Sequence, residues 1–500
     1  MDATSPRISS IAAIFLFIFC PLGIIFFVQT FIITAGGIGW PEYSIKYELL
    51  AQAFLHGQVS LLEKPSPRLL AAKDPYDNSQ SWMFRDPKMH DAVLFEGKYY
   101  IYWGPVPSML IAAGAFIARQ PMPRFGDQFV TWPFLFGTLI LTLILSQRIK
   151  TLYFPELPRW SIVPGILSLG LGTPMLFTLA RAAVYEAAIA GGQFFLLAGI
   201  CSALEYFRKP RASLLALTGI SWTLAIGCRI SLVPAIGVLT LLTAWRIWQS
   251  LPRSRPPVTM WKPIAAMIAP LAIGGILFAW YNFIRFHSIL EFGQRYQLAT
   301  TETHRLGSAD FLALSHLAPN LFRYFLASPL WQSTFPFVFP QYKDPAFYHR
   351  FGLPSDYGME PCAGLIWTQP FLIFAALSCY WGFSRQFPTE DRGLKIWLFL
   401  TLWISLLLGL APVLPMIGST MRYLMDFVPA ATILATIGFW QSLRWTRTKP
   451  ALRTALCSAV FLLVIGQAII GSLLAVTGYY GHFKTFNPDL YNRLVAHLSI

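Results

Sequence analysis

Charge is what this chain has least of. Only 12% of its 500 residues are Asp, Glu, Lys or Arg, against 55% hydrophobic residues and a mean hydropathy of +0.53. So little polar surface cannot coat a water-soluble globule of this length, and the composition assigns the chain to a bilayer. Cysteine is also scarce: of six, Cys20, Cys201, Cys228, Cys379 and Cys457 lie in apolar stretches and only Cys362 is in a polar loop, so no disulfide framework or metal cluster follows. There is no Gly-x-x-x-x-Gly-Lys-Ser/Thr loop and no His/Cys pattern with zinc spacing, which argues against nucleotide hydrolysis and zinc catalysis. The net charge of +15 is scattered between apolar runs and forms no single basic face, so membrane orientation explains it better than nucleic acid does.

What is present is a succession of apolar stretches, each near the ~20 residues that cross a ~30 Å hydrocarbon layer. The first runs from Ile11 to Thr34 after a lone Arg7, with no small-residue cleavage site at its end, and reads as a retained span. Others read as 128–146, 161–180, 184–206, 212–228, 230–247, 263–284, 364–383, 395–415, 423–441 and 453–478. The fold expected is an all-α polytopic membrane protein, residues 1–500 forming one transmembrane domain of about eleven helices, or twelve if 104–118 spans. That segment is apolar but short, and counting it as a span reverses every later loop, so a re-entrant or interfacial segment is preferred. Basic links fall between alternate spans: Arg148/Lys150/Arg159, Arg208/Lys209/Arg211, Arg246/Arg253/Arg255/Lys262, Arg385/Arg392/Lys395 and Arg444/Arg447/Lys449/Arg453. The positive-inside rule makes these cytoplasmic, with the N-terminus. Two long loops, 35–103 and 286–363, then share the outer face and can build one site.

The first loop opens with Tyr43, Tyr47, Leu50, Ala51 and Phe54 at helical spacing, ended by Gly57, and reads as an amphipathic helix lying in the interface. Asp74-Pro-Tyr-Asp77 follows, then His90-Asp91, and Gly97 marks a turn between two short extended pieces. The second loop is rich in Tyr, Trp and Phe, residue types that suit either a membrane belt or the face of a sugar ring.

Four local patterns stand in order: Leu50-Ala-x-Ala-Phe-Leu-x-Gly57, Gly97-Lys-Tyr-Tyr-x-Tyr-Trp-Gly-Pro-x-Pro107, Asn282-x-x-Arg-Phe-x-Ser-x-x-Glu-Phe-Gly293 and Arg422-Tyr-x-x-Asp-x-x-Pro429. With the architecture, they resemble membrane glycosyltransferases of the GT-C fold, in particular bacterial relatives of the dolichyl-phosphate-mannose-type (family 39-like) enzymes. The resemblance implies inverting transfer of a sugar from a polyprenyl-phosphate donor to an envelope lipid, glycan or protein, on the outer face of a bacterial inner membrane. It also implies a catalytic acid in the first outer loop, often within a paired acidic motif. The corresponding Trp40-Pro-Glu-Tyr43 holds a single carboxylate, Glu42, with no acidic neighbour.

Displacing a lipid phosphate from an anomeric carbon needs a base at the acceptor hydroxyl and cations at the departing phosphate. Glu42 and Asp91 are the candidate bases, with Asp74, Asp77 and Asp86 also in the loop; the plain alternatives are a helix-start acid for Glu42 and turn chemistry for Asp74 and Asp77. Arg181, Arg229 and Arg422 occupy very short outer links, against the positive-inside bias, and are the candidate phosphate ligands. The alternative for these is snorkelling, or pairing with Glu186 and Asp426. Asp77, Lys98, Tyr99, Tyr100, Arg285 and His287 are the candidate substrate-binding residues. No metal site or cofactor is called for, though a divalent cation bridging carboxylates and phosphate is compatible with the loops. The rival classes are a transporter or lipid-linked-glycan flippase, disfavoured by the lack of an internal repeat, a ligase or polymerase acting on lipid-linked oligosaccharide, and an inactive scaffold.

Overall fold

The computed structural model describes residues 14–119, 125–250, 258–384 and 389–499. Arg7, Arg253, Arg255, Arg385 and the start of the first span lie outside the described residues. Among the described residues the fold is all-α apart from three two-stranded pairings. A π-helical turn, Phe15–Phe19, runs into α1 (Cys20–Ile33). The first loop holds α2 (Lys46–Leu55), β1 (Val93–Phe95) and β2 (Lys98–Tyr100), and α3 (Val106–Ala118) follows it. Then follow α4 (Gln128–Tyr153), α5 (Val163–Gly170), α6 (Thr173–Leu179), α7 (Val184–Arg208), α8 (Ala212–Cys228), α9 (Val233–Ser250) and α10 (Val258–Phe286). Beyond the second loop, with β3 (Leu330–Trp331), β4 (Val338–Phe339) and β5 (Gly358–Met359), come α11 (Thr389–Leu410), β6 (Gly418–Ser419), α12 (Val428–Trp445), α13 (Pro450–Thr477) and α14 (Pro488–Leu498).

Among the described residues seven helices are long and apolar enough to cross a membrane, and an eighth span results if α5 and α6, bent by 43°, count as one. The remaining expected spans correspond to shorter or broken elements: α8, α12, and a run of short helices, Leu365–Thr368, Pro370–Leu377 and Ser378–Phe383. Each break has a local cause. A Cβ on Gly172 would sit 2.3 Å from the Ser168 carbonyl oxygen, so the chain turns there on a residue without one. The Ser168 carbonyl freed by the break accepts from the Gln369 side-chain amide at 2.9 Å, as backbone inside a membrane protein requires. Gln369 itself precedes a proline and leaves the helical region, with φ −150° and ψ 58°.

Lipid tails are as apolar as the helices, so association rests on close packing of small residues. A Cβ on Gly219 of α8 would fall 2.1 Å from the Met267 carbonyl of α10, so these two backbones touch. Segment 104–118 forms α3, whose 13 residues reach about 20 Å, short of the ~30 Å hydrocarbon layer. The expectation for α2 needs correction. It does not lie free in an interface: Tyr47, Leu50, Ala51 and Ala53 are fully buried and Glu48 nearly so, because α2 packs on α3 and forms a satellite core with Tyr99, Ile101 and Trp103. The turn between β1 and β2 is as expected. Glu96 and Gly97 both take left-handed φ, 47° and 72°, the two-residue hairpin geometry that glycine favours.

Helices α4 and α7 start at the loop end of the bundle, where Ser44 Oγ accepts from the Val184 N–H at 3.1 Å and the Asp127 N–H donates to the Ser44 carbonyl at 2.8 Å. They finish at the opposite end, where Arg148 pairs with Glu205 at 2.9 Å and Arg444, from α12, with Glu156.

Candidate active site

The two long loops are joined edge to edge. Asp91 N–H donates to the Leu298 carbonyl at 3.0 Å and Leu298 N–H to Ala92 at 2.8 Å. Asn78 N–H donates to Glu302 at 2.9 Å, and Arg305 pairs with Asp77 at 2.9 Å. Beneath this seam lies a cavity of about 1180 Å³ whose walls include Asp91, Arg181, Tyr185, Arg229, Glu360 and Arg422.

The three short-link arginines all reach this cavity, and all three are paired with carboxylates. Arg422, almost fully buried, grips Glu360 bidentately, with Nη2 2.9 Å from Oε1 and Nη1 on Oε2, and stands 3.8 Å from Glu186. Arg181 lies 3.6 Å from the same Glu186, which is fully buried and makes no hydrogen bond through its carboxylate. Arg229 pairs with Asp426 at 2.5 Å. Sequence proximity links Arg422 with Asp426 across one helical turn, but the fold joins Asp426 to an arginine 197 residues away. An aromatic ring lies over each guanidinium group, with the Tyr185 centroid 4.6 Å from Arg422, Tyr423 5.4 Å from Arg229 and Tyr480 5.6 Å from Arg181. Such stacking leaves the guanidinium edges to bind oxygen atoms in the ring plane.

Glu360 is the residue the sequence left unmarked. The parallel pairing of β5 with β6 places it beside Arg422, a contact across 62 positions with no local signal. Burial alone would raise its carboxyl, but the Arg422 and Arg181 charges hold it below the ordinary carboxylate range. Its side chain is one-third exposed to the cavity.

Asp91 faces the cavity from the loop seam. Its φ of 64° is left-handed, a conformation Asp tolerates better than most residues. Its carboxylate accepts from Tyr185 OH at 3.3 Å and stands 3.5 Å from His90 Nε2. Tyr185 therefore bridges the acid and the Arg422 stack. Tyr102 and Trp103, at the end of the Gly-Lys-Tyr-Tyr motif, line the same wall.

The other sequence candidates are placed elsewhere or already engaged. Glu42 is exposed and does not line the cavity. Lys98 is exposed, while Tyr99 and Tyr100 face the loop cores. His287, 65% exposed, pairs with Glu96 at 3.2 Å. Asp74 meets His304 at 3.3 Å, and Asp86 and Asp77 cap short helices, Asp77 held low first by the Ser79 hydroxyl. Arg285 borders the cavity, but it donates to Ile101 O at 2.6 Å, Asn282 at 2.6 Å and Tyr281 O at 3.2 Å, so it clamps the first loop to α10. Among the described residues no three His, Cys, Asp or Glu side chains gather into a metal-binding group. Asp127, which sequence reading passed over, is fully buried and accepts from the Lys46 and Tyr47 N–H groups at 3.2 and 3.0 Å. Burial pushes its carboxyl up to about 6 against those bonds.

No family model matches the chain, and no curated protein matches it. Solved structures do, and they define its architecture. The oligosaccharyltransferase AglB of Archaeoglobus fulgidus, in complex with an inhibitory peptide and a dolichol-phosphate, superposes with a TM-score of 0.50 at 9% identity, over 91% of this chain and 55% of that one. The apo form of the Archaeoglobus fulgidus oligosaccharyltransferase gives 0.48 at 10% identity, over 91% and 56%. The chain shares the fold of AglB, the GT-C fold, and spans about half the length of these two structures.

Proposed function

We propose that the chain is a membrane glycosyltransferase that moves a sugar, with inversion, from a polyprenyl-phosphate donor to an envelope lipid, glycan or protein on the extracytoplasmic face of a bacterial inner membrane. The observation that carries this reading is the convergence of Asp91 and three aromatic-stacked arginines on one cavity at the loop end of the bundle. The GT-C fold supports the class, and the dolichol-phosphate bound to AglB is a ligand of the proposed donor chemistry.

In this reading the acceptor hydroxyl oxygen attacks the anomeric carbon from the face opposite the phosphate. The anomeric C–O bond to phosphate breaks, its electron pair stays on the phosphate oxygen, and the hydroxyl proton passes to Asp91. Arg181, Arg229 and Arg422 meet the charge that develops on the departing lipid phosphate, fixed cations being most effective where charge grows in the transition state. Tyr102, Trp103 and Tyr185 offer faces for the sugar ring.

The test is transfer from defined polyprenyl-phosphate sugars in liposomes. Asp91→Asn is expected to slow transfer by about 100-fold or more, the scale of a lost general base, while Glu42→Gln stays near the wild-type rate. A wild-type rate for Asp91→Asn overturns the assignment, and a selective loss in Glu42→Gln gives the role to Glu42.

A further inference from the structure

A second recess lies at the far end of the bundle. It has a volume of about 230 Å³ and is lined by Glu156, Leu157, Leu443, Arg444, Arg447 and Arg453. Its position follows from the helices: α4 starts beside the catalytic cavity and ends just before Glu156, α12 leaves the cavity after Asp426 and ends at Trp445, and α13 returns from Pro450 towards Tyr479. Three arginines therefore face a single carboxylate, and that carboxylate is committed to Arg444. Arg444 is fixed further by its bond to the Tyr153 carbonyl and by the Phe154 ring 4.3 Å away, so its guanidinium is a rigid element of the wall. Arg447 is exposed and Arg453 half-buried at the mouth.

The apolar surroundings indicate what kind of anion suits the recess. Leu157 and Leu443 line it as buried side chains, and Trp445 and Leu452, 45% and 53% exposed, stand next in sequence to the lining Arg444 and Arg453 on the two helices that form the turn. Trp445 is packed edge-on by Tyr380 at 4.9 Å, and both are of the residue types enriched at the headgroup level. A soluble anion would have no use for the exposed apolar side chains next to the arginines, whereas a phosphate carrying acyl chains would use both.

We propose that this arginine-lined recess binds the phosphate of an anionic phospholipid, on the face opposite the catalytic cavity. The shared chemistry is a phosphate oxygen pair held by guanidinium forks, and basic pockets between membrane helices are suited to such headgroups. The site is separate from the transfer reaction and does not depend on the function proposed above.

The experiment is titration of the full-length protein in neutral detergent with phosphatidylglycerol, read by native mass spectrometry. Inorganic phosphate at matched ionic strength forms a second arm. Arg447→Gln/Arg453→Gln is expected to weaken phosphatidylglycerol binding by about 30-fold, the effect of two basic residues near a headgroup. Lys209→Gln/Arg211→Gln removes the same charge from exposed positions at the same end and is expected to change binding less than threefold. Equal losses in the two double variants, or no loss in the first, overturn the site in favour of diffuse surface charge. Saturation by inorganic phosphate alone would retain the phosphate chemistry and overturn the lipid as its source.

Discussion

Arg422 joins the architecture to the proposed chemistry, so its replacement separates the two. The side chain is 5% exposed, holds Glu360 bidentately and stands 3.8 Å from Glu186. At an effective dielectric of ~20, a unit pair near 4 Å is worth about 4 kcal/mol. Removing one partner of a buried pair costs about 3–5 kcal/mol, because the remaining charge is left unmatched. Arg422→Ala should therefore lower the thermal midpoint markedly as well as abolish transfer. The informative variant is Arg422→Lys. It keeps the charge and most of the packing but loses the planar fork, at a cost of about 1–2 kcal/mol. In liposomes it should fold, yet bind the product polyprenyl phosphate about 5- to 30-fold more weakly, read as a raised inhibition constant. If Arg422→Lys kept the wild-type inhibition constant and only its midpoint fell, Arg422 would do no more than hold the loops, and the phosphate role would fall.

Asp127→Ala removes the acceptor for two buried backbone N–H groups at the start of α2, and should cost about 1–3 kcal/mol in a detergent melt; an unchanged midpoint would mean α2 is held by packing alone. Glu360 has a depressed carboxyl, so the stabilisation it gives is complete above its ordinary value of 4.5 and is lost as pH falls through the lowered one. The wild-type melting curve should drop over that acid window, and Glu360→Gln, weaker at pH 7, should show a shallower drop. Parallel curves would assign the acid sensitivity to other carboxylates.

The membrane class, the two long loops and the Glu96–Gly97 turn were legible because each depends on local composition or local φ preference. The three arginines were found for a similar reason: charge in a very short link between apolar runs is visible without a fold. Their partners were not. Arg229–Asp426 and Arg422–Glu360 cross 197 and 62 positions, and the pairing of β5 with β6 that sets the second involves two residues a side, too few to show a period. The burial of α2 was missed for another reason. Its apolar stripe suits a lipid interface and a packed core equally, and only α3, itself too short to read as a span, decides between them. Glu42 stands out in sequence by the position of an acid in a related pattern, whereas Asp91, one of the acids on the cavity wall, is held there by backbone hydrogen bonds between the loops.

Where the Gly-Pro-x-Pro motif meets the end of α8, a Cβ on Gly104 would fall 2.0 Å from the Gly227 carbonyl oxygen, and both residues border the cavity. This part of the rim is main chain against main chain, two residues before Arg229. Its contour is thus set by the lack of side chains at two points: a Cβ on Gly104 would meet main chain, and one on Gly227 would meet the Phe278 and Val106 side chains, each at 2.4 Å.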